Sequence, residues 1–390
     1  MDRRNFLKGV LGIMVSQGVA ANLPTLRRSP KTLILLELKG GNDGLNTIIP
    51  FTNPEYYRLR PNLAIPAKEV IKISDTLAFH PALESLQNSW NAGDLAIVQG
   101  LGYPEPNRSH FSSIDIWEAG SDSSYVEDVG WIARIHAQDP GILADNDLDT
   151  LVLGDANLGP FQKGQFESLV VQQRGNLFKR VSKLPGISKY REDVNPALDH
   201  ILQIQEELKI TSMKVQHSLD SAPTIQTQFP KTRLGQSLQM AARALAGGLR
   251  PGIIKITHTG FDTHASQLGK HRRLLEDLAG SLDAFRSSMV ELKAWENVLI
   301  MTYSEFGRRV SENASRGTDH GTAAPHFLLG GRVKGGVFGD HPSLQDLDHG
   351  DLKHTQDYRA YYQGVSKLWW GSQARITPGQ TWFPMDFLRS

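Results

Sequence analysis

Continuous apolar runs, rather than alternating ones, set the framework of the chain. Residues 32–38, 95–98, 151–154, 253–257 and 298–303 each predict a strand, and the first suits a sheet covered on both faces. Between the last two, Leu268, Leu275, Leu278, Leu282, Phe285, Met289 and Leu292 recur at intervals of three and four. That spacing lays one apolar stripe along a helix. Helical periodicity also marks 81–91, with Pro81 at its start, and the stretch after Ser109 through Ile114 and Trp117. It returns at 195–218, at 232–249 with Gly247-Gly248 as the stop, and at 357–370 as a closing helix. A short apolar run at 327–331 predicts one more strand, and 334–339 predicts a turn. Strands alternating with helices give an α/β protein, whose ligands bind off the carboxyl ends of its strands.

Those ends carry the chemistry. The first strand runs into Gly40-Gly41-Asn42-Asp43-Gly44, which also suits a plain turn. The 253–257 strand is followed by Phe261-Asp262-Thr263-His264, and the 298–303 strand by Ser304-Glu305-Phe306-Gly307-Arg308. Asp319-His320-Gly321 precedes the last apolar run. Asp262, His264, Glu305, Asp319 and His320 are all able to hold a metal and are expected to converge on one crevice, with Asp43 projecting into it. Ser109 falls at a loop-to-helix junction, where free N–H groups favour an anion, although a simple N-cap has the same pattern. Beside it, His110 is a candidate for proton transfer to the leaving group. Arg108 or Arg308 could add charge beside such an anion, although either fits a surface residue equally well. His136, His200, His217, His258 and His326 lack ligand spacing and read as structural; His341, His349 and His354 fall in a polar loop and read as solvated.

Composition narrows the class. With 390 residues, 39% hydrophobic and 21% charged, the chain can bury a large core, and disorder is disfavoured. A balance of 42 basic against 41 acidic residues gives no electrostatic case for nucleic acid. No apolar run is long enough to span a bilayer. Asp2-Arg3-Arg4-Asn5-Phe6-Leu7-Lys8, followed by a weakly apolar stretch, matches a twin-arginine export signal. The expected organisation is a signal peptide at 1–21, a linker at 22–31 and one domain at 32–390, with 120–230 as an insertion or lid. The translocase is then a partner during export, and the mature protein is periplasmic or otherwise exported. The absence of cysteine fits such a location.

The motifs, taken in this order from Arg3-Arg4 to Asp357-Tyr358-Arg359, resemble an exported, functionally uncharacterised group of the alkaline-phosphatase-like superfamily. The resemblance implies a three-layer sandwich, a central mostly parallel sheet with helices on both faces, and a metal-dependent ester-hydrolase ancestry. By that resemblance Asp43 holds a second metal, Ser109 is the nucleophile, and Asp262, His264 and His320 hold the first metal. Glu305 stands where the superfamily usually carries an Asp-His pair, and Asp262 and His264 are spaced more tightly than usual. One or two divalent ions are expected: zinc, or magnesium, manganese or calcium at an oxygen-rich second site. Sulfatase chemistry is disfavoured, because no cysteine is present to become formylglycine. The implied activity is hydrolysis of a phosphate or related ester, small or polymeric. A non-catalytic exported binding or assembly protein that keeps the fold is the alternative.

Overall fold

Strand β1 (Thr32–Lys39) is buried at every position before Lys39, and its side chains alternate between two cores. Leu33 and Leu35 enter one core, and Ile34, Leu36 and Leu38 the other. A strand buried this way needs a covering layer on each side, which explains why its sequence is continuously apolar. The computed structural model describes residues 31–124, 127–171, 196–377, 379–380, 382 and 385–389. The expected leader, and all of the linker except Lys31, lie outside the described residues.

Around β1 stand β2 (Leu95–Gly102), β3 (Leu148–Leu153), β4 (Ser168–Val171), β5 (Pro251–Thr259), β6 (Val298–Tyr303), β7 (Ala324–Gly330), β8 (Gly336–Phe338) and β9 (Gln356–Asp357). They form a nine-stranded sheet in the order β8-β2-β7-β6-β1-β5-β3-β4, with β9 beside β2. Strands β5 and β6 flank β1 in parallel, and β3 and β4 extend the parallel run. Strand β7 runs antiparallel to both β6 and β2. The chain leaving β6 therefore re-enters the sheet at the same rim, without a crossover. The sequence pattern located the β7 run but carries no sign of its direction. The predicted turn at 334–339 contains β8, and β4 was not anticipated.

One face is covered by α4 (Arg233–Ala246) and α5 (Gln267–Glu291), together with the 3-10 turn Pro81–Leu86. The α5 stripe buries Leu275, Leu278, Leu282, Phe285 and Met289 as its spacing required. Leu268, in the first turn, stays exposed. The other face is covered by α1 (His110–Ala119), α2 (Trp131–Gln138) and α6 (Tyr358–Gly364). There Trp117 stacks on Tyr358 and Trp131 on Tyr362. The chain is thus a mixed α/β sandwich with a mostly parallel central sheet. Residues 120–230 contribute α2, β3, β4 and α3 (Pro196–Ser221), so two of its segments are strands of the central sheet. Among the described residues no helix is long and apolar enough to cross a membrane.

Candidate metal centre

The turn after β1 is built by glycine. Gly40 has φ +119, and a Cβ there would collide with the backbone nitrogen of Asp262. The missing side chain lets the ends of β1 and β5 close to backbone contact, which only glycine permits. Into this junction comes Arg308, a fully buried side chain. Its guanidinium donates to Gly41 O (2.7 Å), Thr318 O (2.9 Å), Phe261 O (3.2 Å) and Gly40 O. Nη2 also reaches Asp262 Oδ1 at 2.7 Å, and Nη1 lies 3.5 Å from His264 Nε2. Arg308 is therefore a bracket tying three strand ends together. The expectation that it meets substrate oxygens is corrected, since carbonyls and Asp262 take its donors.

Asp262 Oδ1 is the point where three imidazoles meet. His264 Nε2 lies 3.0 Å from it, and His110 Nε2 and His320 Nε2 each lie 3.5 Å away. The ligand atoms of His110, Asp262 and His320 all fall within 4.8 Å of one another. His264 Nε2 stands beside this group, 2.9 Å from His320 Nε2. Each ring is anchored at its other nitrogen by an oxygen. His110 Nδ1 donates to Glu305 Oε1 (2.7 Å), His264 Nδ1 to Asp319 Oδ1 (3.2 Å), and His320 Nδ1 to the Arg108 carbonyl (2.8 Å). Those oxygens can only accept, so the Nδ1 atoms carry protons, and each ring in its neutral form would present an Nε2 lone pair toward Asp262. Phe306 packs against His110 and His320, with centroids 4.8 and 4.7 Å away, and limits their rotation.

Electrostatics follow the geometry. Burial works to raise the Asp262 carboxyl, but Arg308 and the neighbouring histidines outweigh it and hold the group below the carboxylate range. Glu305 is treated the same way: burial opposes ionisation, and the His110 and Ser304 bonds overcome it. The Glu305 bond in turn raises His110. Burial pushes His320 down, toward the neutral form that coordinates.

Of the expected ligands, Asp262, His264 and His320 come together. Glu305 and Asp319 do not reach the meeting point; each orients a histidine from behind, as carboxylates behind metal-bound imidazoles do. Asp43 is elsewhere as well, fully buried against Arg60 and Gln267. His110, expected as a proton donor, has one nitrogen on Glu305 and the other aimed at Asp262. Arg108 is corrected too: its guanidinium is held by buried Asp351, and its carbonyl does the positioning. Ser109 is the N-cap residue of α1, exposed, and its hydroxyl makes no cap bond.

Sequence reasoning missed a buried ion cluster beneath the centre. Lys255 Nζ on β5 lies 3.4 Å from Glu37 of β1 and 3.1 Å from Glu118 of α1. Tyr303 of β6 donates to Glu118 at 3.1 Å. The cluster joins the helix that carries Ser109 and His110 to the three strands that carry the other groups. Single polar letters inside apolar runs were its one signal.

The chain is similar to several solved structures at low identity. They include the PsFucS1 sulfatase from Pseudoalteromonas sp., at 11% identity over 92% of this chain and 71% of that one, with a TM-score of 0.42. A protein in the alkaline phosphatase superfamily from Vibrio parahaemolyticus matches at 10% identity over 81% and 64%, TM-score 0.38. Alkaline phosphatase from the Antarctic bacterium TAB5 matches at 12% over 80% and 95%, TM-score 0.32. No curated protein matches the chain in sequence. The protein-family model described as "Protein of unknown function (DUF1501)" matches residues 182–359, the stretch that holds Asp262, His264, Glu305, Arg308, Asp319 and His320.

Proposed function

We propose that this chain is an exported, metal-dependent hydrolase of a phosphate or related anionic ester, with Ser109 as the nucleophile. One observation carries the proposal: His110 Nε2, His320 Nε2 and Asp262 Oδ1 lie within 4.8 Å of one another, with His264 Nε2 beside them, each ring locked from behind through Nδ1. The donor set fits a divalent ion. Three nitrogens and one oxygen suit zinc or another first-row ion better than magnesium or calcium. The buried His110 Nε2, which has no hydrogen-bond partner, fits as well.

A divalent ion bound there supplies Lewis acidity, polarising an ester oxygen and lowering the pKa of a coordinated hydroxyl. The chain's own groups prepare the site. Arg308 keeps Asp262 charged, while Glu305, Asp319 and the Arg108 carbonyl hold the three rings in the coordinating tautomer. Ser109 follows Arg108 and precedes His110, so both of its neighbours are fixed to the centre. The first turn of α1 directs backbone N–H groups toward an incoming anion. Asp262 and His264 remain about half exposed, which leaves the centre open to a substrate.

The test combines metal content with turnover. Metal-loaded mature protein is screened against chromogenic phosphomonoesters, phosphodiesters and sulfate esters, with Ser109→Ala in parallel. Hydrolysis by the wild type and none by Ser109→Ala, at equal metal content, supports the proposal. A metal-loaded protein that hydrolyses none of them overturns the enzyme and favours a binding role.

A further inference from the structure

We infer that the centre takes one divalent ion, and that the place of a second is filled by the Arg60 guanidinium on Asp43. The inference rests on the metal-dependent function proposed above and concerns the two residues expected to hold another ion, Asp43 and Glu305.

Asp43 is enclosed by donors. Arg60 Nη1 lies 2.6 Å from its Oδ2, with both side chains fully buried. The Gln267 amide donates to the same oxygen. That amide cannot turn round, because Gln267 Oε1 already accepts from Thr263 Oγ1 (3.0 Å) and Thr318 Oγ1 (2.7 Å). Arg60 is equally fixed: Nε donates to Val310 O (2.8 Å), Nη2 to Arg309 O (2.8 Å) and Nη1 to Asn46 Oδ1 (2.9 Å). A metal needs lone pairs around it, whereas Asp43 faces N–H hydrogens and a permanent positive charge. Its Oδ1 is left without a hydrogen-bond partner, a single oxygen beside that charge.

Glu305 is filled in another way. The Gly40 N–H donates to Oε1 at 2.9 Å, where His110 Nδ1 also arrives, and the Ser304 hydroxyl, shared with Leu38 O, lies 3.0 Å from Oε2. Taking Glu305 as a ligand would release His110 from its anchor. Both carboxylates therefore already have cationic or hydrogen-donating partners supplied by the chain itself. A second divalent ion would have to displace the buried Arg60 side chain, which has no solvent to enter.

The test is stoichiometry. Metal-stripped full-length mature protein is titrated with zinc and, separately, manganese and magnesium. Bound ions are counted by native mass spectrometry and by elemental analysis after desalting. One ion per chain is expected in the wild type and none in His320→Ala. The isosteric Asp43→Asn protein should still bind one, with its fold checked by circular dichroism. Two ions in the wild type, falling to one in Asp43→Asn, overturn the inference and leave the hydrolase proposal standing. Loss of the single ion in folded Asp43→Asn also overturns it, since the ion would then depend on Asp43. No ion with any of the three metals overturns both.

Discussion

His264 and His320 meet nitrogen to nitrogen, with their Nε2 atoms 2.9 Å apart and an oxygen bound behind each ring. Two lone pairs at that separation repel each other unless a proton or a cation lies between them. Metal should therefore stabilise the fold as well as serve the chemistry. Zinc added to chelator-treated protein is expected to raise the unfolding midpoint, the free energy of unfolding growing by about 2.7 kcal/mol once the free ion is about 100 times Kd. His264→Ala should lose that response. A midpoint indifferent to zinc in the wild type would count against the centre.

Ser109 caps α1 by position but not by hydrogen bond. Ser109→Ala should therefore cost less than the roughly 0.5–2 kcal/mol of a working N-cap. Turnover should fall to background while metal content holds. Urea midpoints and initial rates on one preparation separate the two effects.

Arg308 is buried, and four backbone carbonyls depend on it alongside Asp262. Arg308→Ala strands those acceptors and removes the partner of Asp262. A loss of about 1–3 kcal/mol is expected, the range for leaving buried acceptors unsatisfied, since the half-exposed Asp262 can be resolvated. Denaturant unfolding of both proteins measures it.

His326 lies fully buried on β7, and burial pushes its pKa down to about 3. His80 is likewise pushed to about 3 and His271 to about 4. Each is neutral in the native state but takes a proton near its ordinary value when the chain unfolds. The unfolded state then binds more protons, so stability is full above about pH 6.5 and declines as pH falls toward the native values. Each histidine contributes a slope of about 1.4 kcal/mol per pH unit inside that window. His326→Gln should remove one such slope between about pH 6 and pH 5. Parallel slopes for wild type and variant would refute the assignment.

The proposed export would rest on Arg3-Arg4. Replacing both with lysine should leave a full-length precursor in the cytoplasm, detected by fractionation and immunoblotting. Normal maturation of the double variant would remove the twin-arginine assignment.

Strand ends were legible in the sequence because a short apolar run fixes where its polar successor must stand. Asp262 and His264 follow β5, and Glu305 follows β6, at the same rim for that reason. Pairing was not legible. Nothing near Asp43 indicates that Arg60, at the end of the short helix Pro54–Leu59, is its partner. The tight spacing of Asp262 and His264, taken as a departure from a family pattern, lets both side chains reach one point. His110 was noticed for standing beside Ser109, yet its ligand geometry depends on Glu305, which is 195 residues away in sequence. Long-range hydrogen bonds of this kind leave no periodic trace along the chain.

The reversed strand β7 makes the segment between β6 and β7 a closed detour, leaving and rejoining the sheet on one rim. Glu305, Arg308, Asp319 and His320 all ride on it, so half of the centre is carried by one continuous segment. The segment is anchored outside itself, since Arg309 O and Val310 O accept from buried Arg60, and Ser315 O and Arg316 O accept from Ser266 N and Gln267 N where α5 begins. A change of length between Arg309 and Thr318 would therefore loosen the Arg60 clamp on Asp43 and the start of α5 together with the centre.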